Sequence, residues 1–78
     1  MAHLYFHCTH SDAAHRDARG AVVADLAEAR DRAVAAAQAV MTHVSGLSDF
    51  RDWRILVADE DGAERLVVPF AFVRRPVH

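Results

Sequence analysis

A single stretch of helical period lies between two aromatic runs of strand period, and this arrangement limits the possible folds more than any other feature of the chain. The helix is marked at Asp25-Leu26-Ala27-Glu28, a capping box: the Asp25 carboxylate can accept from free N–H groups of the first turn while Glu28 reaches back to the Asp25 N–H. From there Leu26, Ala29, Ala33, Ala37, Val40 and Val44 recur at three- and four-residue steps, flanked by Val34 and Met41. Glu28, Asp31, Arg32, Thr42 and His43 fall away from that stripe, so the segment reads as an amphipathic helix ending near Gly46.

On either side the period drops to two. His3 to His10 places His3, Tyr5, His7 and Thr9 on one face and Leu4, Phe6, Cys8 and His10 on the other. Ser11 to Ala14 supply a turn, and His15 to Asp17 can return antiparallel before Gly20 breaks the run. After the helix, Trp53 to Ala58 forms a third strand, Asp59-Glu60-Asp61-Gly62 a hairpin turn, and Leu66 to Phe70 a fourth strand that Pro69 confines to an edge or an end. The expected fold is therefore α+β and two-layered: a ββαββ antiparallel sheet with the helix packed on one face. With 78 residues this is one domain, 1–78, with 74–78 as a fraying tail.

One helix cannot cover both faces of such a sheet, yet apolar side chains are assigned to both. Leu66, Val68 and Phe70 take one face; Val67 takes the other, as Tyr5 does opposite to Phe6. A bare apolar face of several hundred Å2 is unusual on a soluble monomer, which predicts a symmetric homodimer through the sheet with Tyr5 and Val67 in its interface. Ala27, Ala35 and Ala39 offer a rival contact on the back of the helix.

Composition excludes several classes. Nine arginines against eleven acids leave a net charge of −2, without the basic footprint that nucleic acid requires. The alanine-rich middle is broken by Glu28, Arg30, Asp31 and Arg32, so no membrane span is expected. The start lacks a cationic region followed by an apolar run, and the single cysteine closes no internal disulfide, which together suggest a cytoplasmic protein.

Six histidines raise the question of metal. His3 and His7 on one strand face lie about 13 Å apart, too far to share an ion. If Ser11 to Ala14 is a hairpin loop, His10 faces His15 and Cys8 faces Asp17, and these four side chains could hold Zn2+. The competing reading makes Cys8 a small core residue and leaves His10 and His15 solvated at a turn, with no cofactor. No serine sits in triad geometry, and no glycine-rich run precedes the helix, so no catalytic residue is assigned and the reading is non-enzymatic.

In order and spacing, Tyr5-Phe6-His7, Asp17-Ala18-Arg19-Gly20, Asp25 to Arg30, Trp53, Asp59-Glu60-Asp61-Gly62 and Val68-Pro69-Phe70 resemble a bacterial family of short proteins known only as a domain of unknown function. The resemblance implies a stand-alone small domain and brings no activity, cofactor or substrate. A second likeness, in element order alone, is to small antitoxin domains with a partial RNase-H-like sheet, which implies a regulatory protein partner. The function expected from the sequence is thus that of an interaction or accessory module. The alternatives are a Cys8/His10/His15/Asp17 metal domain or an antitoxin-like partner-binding domain.

Overall fold

The computed structural model describes residues 1–11, 13–43 and 50–74. Strand β1 (Ala2–His10) carries the aromatic N-terminal run, and the chain then returns antiparallel along one of its edges in two short pieces, β2 (Ala13–His15) and β3 (Ala21–Val23). Helix α1 (Leu26–His43) follows, then the hairpin of β4 (Trp53–Ala58) and β5 (Glu64–Pro69). β4 pairs with the other edge of β1, from Tyr5 opposite Ala58 to His10 opposite Trp53, which gives the order β2-β1-β4-β5 with β3 beside β1. The two-layer α+β expectation holds: one helix packs on an open antiparallel sheet of five strands.

The return strand is where the structure departs most from the sequence reading. It was expected over His15 to Asp17, but pairing stops at His15 and resumes at Ala21. Between them the Asp17 carboxylate accepts the Phe6 N–H at 3.1 Å, taking the place of a ladder carbonyl. The same carboxylate accepts from Arg19 and Gly20, and Gly20 turns the chain with φ +68. One side chain thus closes the gap that two extra residues open in the ladder.

The helix starts where the capping box places it. Asp25 Oδ1 accepts the Glu28 N–H at 2.9 Å, while Glu28 reaches one residue further back than expected, to the Ala24 N–H. Ala29, Ala33 and Ala37 have no exposed surface, and their small side chains let the helix axis come close to the sheet. Leu26 does not join them. At 52% exposure it lies beyond the sheet margin, lining a shallow groove with Ala2, Leu4, Asp59 and Arg65. The expected helix end near Gly46, with Val44, lies outside the described residues.

The core beneath the helix is built from Leu4, Cys8, Ile55, Val57 and Val68, with Phe6 and Leu66 packed against it. The 59–62 turn forms as expected, with Gly62 at φ +84 and Asp59 Oδ1 accepting from Asp61 and Ala63. β5 ends at Pro69 on the sheet edge, and Phe70 opens a 3-10 turn, Phe70–Phe72, which tucks its ring into the core. The tail expected from residue 74 is tied down at its first position, where the Arg74 carbonyl accepts from the Gln38 amide at 3.2 Å. Residues 75–78 lie outside the described set.

Candidate functional site

The sheet face turned away from α1 is built by alternation. Leu4, Phe6 and Cys8 point to the helix, so His3, Tyr5, His7 and Thr9 must stand on the opposite side. Register adds Ala58 across from Tyr5, Leu56 across from His7, Arg54 across from Thr9, Val67 across from Leu56 and Val22 across from His3. Tyr5 and Val67, the two residues singled out as interface candidates, therefore share this face, both half-buried in the single chain.

Its centre is a ladder of rings along β1. His3 and Tyr5 stack with centroids 4.9 Å apart, and Tyr5 and His7 lie nearly parallel at 6.3 Å. Because the rings stack on one another, they present edges rather than open π faces. Such a row suits side-chain packing and hydrogen bonding better than base stacking.

The turn through Asp17 and Gly20 fixes both ends of the ladder. His7 Nδ1 accepts the Asp17 N–H at 2.9 Å, and His3 Nε2 meets the Arg19 carbonyl at 2.9 Å. His3 Nδ1 also lies 3.7 Å from Glu60. Burial alone would raise the Asp17 carboxyl, but the N–H donors of Gly20, Phe6 and Arg19, joined by the His7 ring whenever that ring is protonated, outweigh it and hold the group below the usual aspartate value. Beside His7 a groove of about 230 Å3 is lined by Thr9, Arg16, Leu56, Ala58 and Gly62. The face thus has an aromatic and aliphatic centre with arginine and imidazole around it, and carboxylates only at its margin.

The proposed zinc ligands are not brought together as the sequence reading paired them. The hairpin turn at Ser11, which has φ 45, is tighter than assumed, and the return strand slides by two residues. Cys8 now faces His15, and His10 faces Ala13. Asp17 lies alongside Phe6 with its carboxylate committed to backbone N–H groups. Among the described residues, no three His, Cys, Asp or Glu side chains converge on one ion position. Cys8 is buried, and burial pushes its thiol above the ordinary value, so near neutral pH it is a protonated core group rather than a nucleophile.

His10 joins a second aromatic system on the helix side. It stacks on Trp53 at 3.9 Å and approaches His15 at 5.6 Å, and Trp53 in turn packs against Phe50 at 5.1 Å and Phe70 at 5.7 Å. An apolar groove between Cys8, His15, Val40, His43 and Trp53 opens beside it. Sequence reasoning placed Trp53 on the third strand and Phe70 on one sheet face with Leu66 and Val68, but missed both the His10 stack and the His7–Asp17 contact. The alternation of His3, Tyr5 and His7 was visible. What could not be read was the two-residue irregularity that carries Asp17 to Phe6.

No helix among the described residues is long and apolar enough to cross a membrane. A family model described as "Domain of unknown function (DUF6894)" matches residues 3–71. Comparison with curated proteins and with solved structures gives no match.

Proposed function

We propose, from the premise that this chain belongs to the family described as Domain of unknown function (DUF6894), that it is a non-enzymatic interaction module that self-associates through the open face of its sheet. The observation that carries this reading is the His3–Tyr5–His7 ladder with Leu56, Val67 and Val22 around it, opposite the face that α1 covers. A cytoplasmic setting is part of the reading, supported by a single buried thiol in place of disulfides.

Area sets the expected strength. Four strands at about 4.8 Å spacing and six residues of about 3.3 Å each give a face of roughly 400 Å2 in projection. That falls below the roughly 800 Å2 per partner of a standard interface and within the range of weak ones. The dimer expected from a face of that size is a weak, concentration-dependent one.

Sedimentation velocity from micromolar to near-millimolar concentration tests this. Val67→Glu places a charge on the face beside Leu56 and should hold the protein monomeric. Ala35→Glu, on the exposed back of α1, should leave association intact. If Ala35→Glu dissociates the protein and Val67→Glu does not, the contact runs through the helix and the sheet reading is wrong.

A further inference from the structure

We propose that His7 is a proton-operated latch, which in its neutral form holds the Asp17 turn against β1 and on protonation lets it go. The donor in this contact is not in doubt chemically: the Asp17 N–H is a backbone donor, so His7 Nδ1, 2.9 Å away, must be the acceptor. An imidazole that accepts at Nδ1 carries its proton at Nε2 and is neutral. Protonation would set two N–H groups against each other, and the ring would have to leave the Asp17 amide.

The surroundings give the charged ring somewhere to go. The Asp17 carboxylate already accepts from Arg19 and Gly20 at Oδ1, but Oδ2 accepts only from Phe6 and retains acceptor capacity for an imidazolium. From the same connection Arg16 lines the groove with His7 and opposes the charge. On β1 the neighbours are Tyr5, stacked on the ring, and Thr9; β4 contributes Leu56 and Ala58, which do not titrate, with the cationic Arg54 on the same face opposite Thr9, and the 59–62 turn contributes Gly62. Helix α1 packs on the far face and supplies no group to His7. His3, at the other end of the ladder, behaves differently: the imidazolium can donate to the Arg19 carbonyl and gains from Glu60. The two imidazoles therefore respond to acid in opposite senses, and only His7 gives up a backbone contact.

The amide sits at the junction of β2 and β3, where a single carboxylate bridges the interrupted ladder, so the consequence is local opening of the sheet edge. The sign follows from the acceptor role: the latch is closed while the imidazole is neutral and is lost when acid protonates the ring. The contact between His7 and the Asp17 amide lies within one chain and does not depend on whether the sheet face pairs with another copy.

Nitrogen NMR of the histidine rings and amide exchange of the full chain test it. Near neutral pH the His7 ring should show a proton on Nε2 and an unprotonated Nδ1. Between neutral pH and about pH 5, the protection factor of the Asp17 amide should fall about tenfold, as expected for loss of one hydrogen bond, while core amides such as Ile55 keep theirs. His7→Asn, whose side-chain carbonyl can occupy the acceptor position without titrating, should make Asp17 protection independent of pH. A His7 proton on Nδ1 at neutral pH, or wild-type Asp17 protection that does not change with acid, would overturn the latch. Equal pH dependence in wild type and His7→Asn would assign the effect to another group and overturn it too.

Discussion

β1 carries aromatic side chains to both faces of the sheet, and the two groups are held in different ways. On the helix side His10 stacks on Trp53, and Trp53 meets Phe50 and Phe70, the last two only 4% and 2% exposed. On the open side His3, Tyr5 and His7 stack along the strand and are pinned by the backbone of the Asp17 turn rather than covered by a second layer. The first group supplies stability through burial. The second leaves the adjoining Leu56 and Val67 only half-buried in the single chain.

Removing rings from the two groups should break the comparison most visibly. Phe70→Ala should cost about 3 to 5 kcal/mol in denaturant unfolding, most of the stability of a domain this small, whereas Tyr5→Ala should cost under about 1 kcal/mol at concentrations where the protein is monomeric. Similar losses for the two would erase the distinction. Gly20→Ala comes next. Its Cβ would sit 2.6 Å from His3 Nε2 and 2.7 Å from the Leu4 carbonyl oxygen, at a φ of +68, so about 2 to 3 kcal/mol should be lost and the His3 ring displaced in NMR spectra.

Acid titration sharpens the same contrast. The Asp17 carboxyl titrates lower in the folded chain than in the unfolded one, so its contribution is fully present above the ordinary aspartate range near pH 3.9 and is lost as pH falls through the lowered folded value. Asp17→Asn should lower stability near neutral pH by about 2 kcal/mol and flatten the acid limb of the stability curve below about pH 4. Asp25→Ala should have the smallest effect, about 1 kcal/mol from the lost helix cap, read as a shift in denaturation midpoint with the open-face rings undisturbed.

Most of the fold was legible because its signals are local. The cap at Asp25, the turn at Gly62 and the alternation of β1 and β4 each depend on a few neighbouring residues, and each stands where the sequence places it. The edge of β1 was not legible, for a physical reason: a tighter turn at Ser11 shifted the register by two, and a side chain, Asp17, replaced a ladder carbonyl. Periodicity cannot register a carboxylate that acts as backbone. The same shift dissolves the pairing on which the zinc alternative depended and creates the His7 contact instead. Leu26 fits the helical period, yet its exposure depends on where the sheet ends, which is a tertiary matter.

The most direct test is the mass of the purified chain by light scattering as concentration rises through the micromolar range, for wild type and for a Tyr5→Lys/Val67→Glu double variant. The open-face account predicts a wild-type mass climbing from 8.6 kDa toward twice that value and a double variant that stays at 8.6 kDa while remaining folded. A wild-type chain fixed at 8.6 kDa up to near-millimolar concentration would contradict it.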